Sequence, residues 1–437
     1  MAKRCDMRLE IGTFQVRDVV FSDTTRFSDG VLYVDRDEAK QLVMEDSHFE
    51  EVDIYLVRPG ESTRIINVLD ASEPRCKVSG PGSVFPGLLG PPVTVGKGRT
   101  HRLANVAVVS TSEPVMWEAN FWRDSILDMS GPGARHNLFA DTLNLVLELK
   151  PRTRFTDAEL KQLELLNYNR GSQWVQEYHK AVRVAGLKVA AFLAEATREL
   201  NPEQVEVYEL GPADPALPRV VYSCQLHFHL VYGQFLGWQP TFLHPNEYMD
   251  GIIVNLHNAQ ASTRDASYVH QNHPVIQELY RLHGKEINFS GVLLYRAQIS
   301  NTEDKERTTS YAAKLLRMRG IDGVVMTWTG SGNPGMDIMM LCQKCENQGI
   351  RTTVLNDEIM FTDEDSGFVH FVPEADAIVS VGNTESDVTL PPMNRVIGGS
   401  KIWNLELDPS GPLSLAIRYL YGATNMMGAT RLEGVPY

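Results

Sequence analysis

From Gly251 onward the sequence alternates short apolar runs with helical stripes at a spacing that few folds can accommodate. Runs at 252–254, 287–295, 323–327, 352–355 and 377–381 read as strands. Helices are predicted over 275–282, 304–318 and 334–347 between them, with a closing helix over 413–421. Strands separated by a helix cannot pair as hairpins and must cross over, which makes the sheet parallel and covers both its faces. The expectation is an α/β fold whose C-terminal domain, 246–437, is layered around a mostly parallel sheet. Ligands bind such sheets at the carboxyl ends of the strands, and three loops fall on that edge: 254–272, 328–334 and 356–358.

Residues 1–245 have another character, an irregular β-rich and helical N-terminal domain. Strands are expected at 7–11, 18–21, 31–34, 52–57, 65–70 and 106–109, with a short helix at 37–44. The run 80–98 holds six glycines and four prolines, which rules out a regular element there. At its end Gly96-Lys-Gly-Arg-Thr-His101 does not have the phosphate-loop spacing. Helices follow at 157–166 and 172–200; the second carries an apolar stripe at Val175, Tyr178, Ala181, Val182, Ala185, Val189 and Phe192, and Asn201-Pro202 stops it. Strands at 204–210 and 219–226 come next, the second continuing into His227-Phe228-His229.

A chain of 437 residues is too long for one ordinary core, which fits two domains. Its formal charge of -14, with no concentrated basic stretch, argues against a nucleic-acid or anionic-membrane partner. With no apolar run of membrane-spanning length and no secretory leader, a cytoplasmic location is expected. Cysteines at 5, 76, 224, 342 and 345 are odd in number and scattered, unlike a disulfide framework.

Two groups of residues carry candidate chemistry. His227 and His229, two apart on an expected strand, would point the same way and chelate one divalent metal such as zinc. Further ligands would come from His244, Glu247, Asp250, His257, His270 or His273; hydrogen-bonded structural histidines are the alternative. Gly330-Ser-Gly-Asn-Pro-Gly335 follows a strand, opens a helix and fits Gly-x-Gly-x-x-Gly, with Asp357 after the next strand. A dinucleotide, a small carboxylate and a purely structural turn all remain open for it. Cys342 and Cys345 have no second pair to complete a zinc site, and a mid-helix position gives them no helix-terminus dipole.

A set of short motifs spread along the chain makes a family resemblance specific: Met7-Arg-Leu-Glu-Ile-Gly12, Arg58-Pro-Gly-Glu61, Glu73-Pro-Arg75, Phe85-Pro-Gly87, Thr94-Val-Gly96, Met249-Asp-Gly251, Tyr268-Val-His-Gln-Asn272, Asp304-Lys-Glu-Arg307, Gly332-Asn-Pro334 and Asn356-Asp-Glu358. On these the chain resembles the α/β precursor subunit of component B of the glycine/sarcosine/betaine reductases, relatives of the D-proline reductase precursor. The resemblance implies self-cleavage before a cysteine lying between the equivalents of Gly251 and Tyr268, which becomes a pyruvoyl group. It further implies that this ketone condenses with the substrate amine while a selenocysteine on a separate subunit attacks the substrate carbon. Here the sequence departs from the pattern. No cysteine lies between Gly251 and Tyr268, and His257-Asn258 stands where the family has Asn-Cys. An amide cannot accept the acyl group. Ser262, Thr263 and Ser267 carry hydroxyls but are out of register.

The expectation is therefore an unprocessed homologue of the substrate-activating subunit, without pyruvoyl. It would act in an oligomer with a selenocysteine- or cysteine-bearing partner on a small amino- or N-substituted carboxylate. The candidate catalytic residues are His257, Asn258, His270, Asp357 and Glu358. Gly332, Asn333, Gln271 and Asn272 are the expected substrate contacts, and His227 with His229, helped by His257 or His270, would hold an activating metal. A non-catalytic scaffold, and pyruvoyl chemistry from an out-of-register Ser or Thr, are the alternatives.

Overall fold

The computed structural model describes residues 7–113, 124–152, 173–256, 260–330, 332–359, 370–402 and 405–429. The expected helix over 157–166 lies outside them, as do His257 and Asn258.

The C-terminal half is built on a six-stranded sheet. Arg219–Leu226 runs through its middle, with Asn288–Arg296 on one side and Gly323–Trp328, Arg351–Glu358 and Ile378–Asn383 on the other. These five are parallel, and Thr241–Leu243 closes the first edge antiparallel. The side-chain alternation of the central strand decides what covers each face. Val221 joins Leu293, Tyr295, Val324 and Met326 under helices Thr302–Met318 and Pro334–Glu346. Tyr222, Cys224 and Leu226 point the other way, into a core shared with helix Pro274–Leu282 and with Leu9, Ile11 and Val109 of the N-terminal sheets. The connection leaving the central strand turns to one side and the connection leaving Gly323–Trp328 to the other. The carboxyl ends of these two strands therefore form the topological switch point of the sheet.

Three expectations are corrected. The strand Ile253–Asn255 does not begin the parallel sheet but pairs antiparallel with His229–Val231, which also pairs with Gln234–Phe235. The central strand ends at Leu226, so His227 and His229 do not share one strand. At 413–421 the chain forms the strand Leu413–Ala416, paired with Asp387–Leu390, and then a single turn Ile417–Tyr419. Its burial alternates with period two, and Pro412 removes the backbone donor before it.

The N-terminal half holds two four-stranded sheets, one of Gln204–Tyr208, Leu9–Gln15, Gly98–Ala104 and Arg75–Lys77, the other of Phe49–Val57, Leu143–Pro151, Val106–Ser112 and Val68–Ser72. Helix Gln173–Glu195 buries the expected stripe, Tyr178, Ala181, Val182, Ala185 and Val189, in the core under the second. The apolar run at 65–70 is two strands, because Asn67 adopts a left-handed φ of 54° and gives its amide to Gly398 O and Lys401 O. Sheets mix distant parts of the chain: Arg395–Ile397 lies parallel to Thr63–Ile66. Between Lys77 and Gly98 there is no regular element, as its glycines and prolines require. No helix among the described residues is long and apolar enough to cross a membrane.

Candidate functional site

The turn that leaves the central strand brings His229 beside the start of the short helix Ser267–Gln271. His229 Nε2 lies 2.7 Å from Asp265 Oδ2, and His270 Nε2 bonds to the same oxygen. The two rings are nearly perpendicular, 75° apart with centroids at 5.2 Å, so their nitrogens converge on the carboxylate rather than stacking. All three side chains are at most 2% exposed. Around them, Tyr248 O–H meets His270 Nδ1 at 2.6 Å, and Asn255 Nδ2 donates to Asp265 O at 2.6 Å. Asn255 is the last residue of its strand and pairs with His229, so this group lies beside the end of the strand Ile253–Asn255.

Electrostatics follow from this packing. Burial alone would raise the Asp265 carboxyl, but the two imidazoles against it hold it well below the usual carboxylate range. Burial lowers His229 despite Asp265, which keeps its ring neutral, and its Nδ1 has no partner among the described residues. Behind it, Tyr222 O–H bridges His273 Nε2 at 2.6 Å and Thr327 Oγ1 at 2.5 Å. Burial pushes the Cys224 thiol up to about 12 and Cys76 up to about 11, and it raises Cys342 and Cys345 as well. None of these four cysteines is a ready thiolate.

A second group sits at the switch point of the sheet. His227 N–H donates to Thr329 Oγ1 at 2.9 Å, tying the two switch-point loops together. Helix Pro334–Glu346 starts there, after Gly332 and Asn333, with Gly335 packed under the Trp328 ring. Lys305 Nζ reaches Asp337 Oδ1 at 2.9 Å and bonds Gln298 O, which locks this helix to its neighbour. Asp357 lies near the end of the adjacent strand, 2% exposed, with Oδ2 unpartnered among the described residues. Burial, with the charges of Glu358 and Glu385 beside it, raises its pKa to about 7.

The expected residues thus fall into separate places. His229 and His270 meet; His227, Gly332, Asn333, Asp357 and Glu358 lie on the carboxyl edge; His257 and Asn258 lie outside the described residues. Gln271 and Asn272 belong to an interior joint. Gln271 exchanges two hydrogen bonds with the Glu73 backbone, and Asn272 Oδ1 accepts from Arg75 at 2.9 Å and Arg102 at 3.1 Å. Asp265 was missed by sequence reasoning. Its signal was slight: one acid five residues before a histidine, in a loop with no periodicity to say which way it faces. Of the three hydroxyls, Thr263 donates to Gln260 O and Ser267 to Asp70 Oδ2, while Ser262 Oγ is buried without a partner among the described residues. The sequence has no cysteine from 251 to 268.

A family model described as glycine/sarcosine/betaine reductase component B subunits matches residues 7–433. The component B subunits alpha and beta of the glycine reductase complex of Acetoanaerobium sticklandii are 36% identical over 456 residues, covering 99% of this chain and 100% of theirs. From Peptoclostridium acidaminophilum, the sarcosine reductase complex component B subunit alpha is 36% identical over 409 residues, covering 90% of this chain and 89% of its own. The corresponding betaine reductase subunit alpha is 33% identical over 409 residues, 90% of this chain and 88% of its own. No solved structure matches.

Proposed function

This chain belongs to the family of glycine/sarcosine/betaine reductase component B subunits, and from that premise we propose that it is the substrate-activating subunit of a heteromeric reductase-type complex, working as an unprocessed chain. Its substrate is a small amino- or N-substituted carboxylate, the class to which the relatives' named substrates belong. A second subunit, bearing a selenocysteine or cysteine, supplies the nucleophile. Breaking a C–N bond this way requires the nitrogen to leave as a neutral amine, so it must be cationic when the nucleophile attacks: protonated in glycine and sarcosine, quaternary in betaine. In this chain the buried group His229, Asp265 and His270 is assigned to orient the substrate nitrogen, with the Asp265 carboxylate facing its positive charge, and assistance by a divalent ion such as zinc belongs to the same reading.

The observation that carries the reading is the convergence of these three side chains on one carboxylate oxygen, beside the end of the strand Ile253–Asn255. Two further features support it. The start of helix Pro334–Glu346, at Gly332 and Asn333, offers backbone donors to a carboxylate. Asp357, protonated below about pH 7, adds a donor on the same edge and is the acid/base candidate there, with Glu358 beside it.

The test is one preparation assayed twice. The intact mass is expected to be a single species near 49.0 kDa, and the chain with its second subunit is expected to release ammonia or amine from glycine, sarcosine or betaine in the presence of a dithiol. A stable complex without release would mean a scaffold. Two fragments, the second blocked at its N-terminus, would restore pyruvoyl chemistry, for which the unpartnered Ser262 hydroxyl is the precursor to examine.

A further inference from the structure

We infer that His229, Asp265 and His270 form a binding site for one divalent transition ion. One ligand atom from each lies within 4.8 Å of the other two, and all three residues are buried. The set is two imidazoles and one carboxylate, borderline donors that suit Zn²⁺, Fe²⁺, Co²⁺ or Mn²⁺ rather than Mg²⁺ or Ca²⁺. Three protein ligands also leave a coordination position for water or substrate, which is the pattern of reactive rather than purely structural sites.

Of the two histidines, His270 has the surroundings a metal-binding imidazole needs, while His229 Nδ1 has no partner among the described residues. The far nitrogen of such a ring must be held, because that bond fixes which nitrogen faces the ion. For His270 the Tyr248 hydroxyl oxygen, 2.6 Å from Nδ1, is placed to accept that nitrogen's N–H, and Tyr248 is itself buried in the core. Asp265 is anchored through its carbonyl by Asn255 Nδ2. The T-shaped ring pair aims both Nε2 atoms at one point, whereas His227 lies across the bend from His229 and is not of the set.

The ion deepens the functional reading above, which rests substrate activation on the same side chains, but its binding is measured apart from turnover. The full-length chain, stripped with chelator and reloaded with Co²⁺ alone, is expected to keep about one equivalent through gel filtration and to show visible d–d absorption. Asp265→Asn and His270→Gln are each expected to weaken Co²⁺ binding at least about tenfold, and Tyr248→Phe about 10- to 100-fold. His227→Ala should leave it unchanged. A folded wild-type chain that retains no Co²⁺ overturns the inference, and so does Co²⁺ retained equally by the three weakening variants. Should Asp265→Asn fail to fold, the wild-type spectrum and Tyr248→Phe decide. Ion bound with no complex or amine release would sink the functional reading alone; complex and release without ion would sink this inference alone.

Discussion

Asp265 and Asp357 are both buried carboxyls, and their neighbours drive them in opposite directions. Two imidazoles hold Asp265 ionised, whereas Asp357 has Glu358 and Glu385 for company and rises to about 7. Such divergence separates an anchoring anion from a group that can carry a proton near neutrality. The raised pKa has a stability consequence with a definite sign. The native state keeps a proton on Asp357 that the unfolded chain loses above about pH 4, so this residue costs stability increasingly as pH rises from about 4 to about 7. Asp357→Asn, which cannot ionise, is expected to be more stable than wild type at pH 8, by at most a few kcal/mol, and to lose that advantage below about pH 4. Urea denaturation at the two pH values checks it; an equal difference at both would mean Asp357 ionises normally.

Among the elements, the irregular run between Lys77 and Gly98 is where glycine has a physical task. Gly87 has φ 84°, and a Cβ there would lie 2.0 Å from Tyr232 O, so the loop meets the backbone that leads into the site's small sheet with no room for a side chain. Gly60 has nearly the same φ, 81°, and open space around it. Substituting alanine at Gly60 is expected to cost about 1–2 kcal/mol from conformation alone. At Gly87 the cost should exceed that by at least about 2 kcal/mol, because backbone must move as well. Thermal denaturation of both variants separates the two terms, and equal losses would show that the Gly87 contact relaxes freely.

On the scale of the whole molecule, buried arginines bind the distant parts of the chain together. Arg64 pairs with Asp128 at 2.7 Å, both fully buried, and donates to the carbonyls of Pro391, Pro409 and Gly411. Arg75 does the same between Glu73, Met249 O, Gln271 O and Asn272. Removing one partner from such a pair leaves an uncompensated buried charge. Arg64→Met is expected to cost about 3–5 kcal/mol and to open 391–411 to limited proteolysis before the rest of the chain unfolds. Cutting elsewhere first would show that this anchor is not what holds the segment down.

The sequence by itself determined the α/β class, the alternation after residue 251, the irregular run before residue 98 and the family, because periodicity, proline and glycine act locally and the motifs are contiguous. It also marked His229 and His270 and the helix start at Gly332. It misplaced what depends on partners far along the chain. Leu413–Ala416 became a strand because Asp387–Leu390 lies beside it. Gln271 and Asn272 turned inward because Arg75, nearly two hundred residues earlier, has its hydrogen-bond acceptors there. Only the tertiary structure decided that Asp265 stands between two histidines. Thirty-six residues separate it from His229, and no local propensity encodes that meeting; the docking of the short helix against the turn after the central strand creates it.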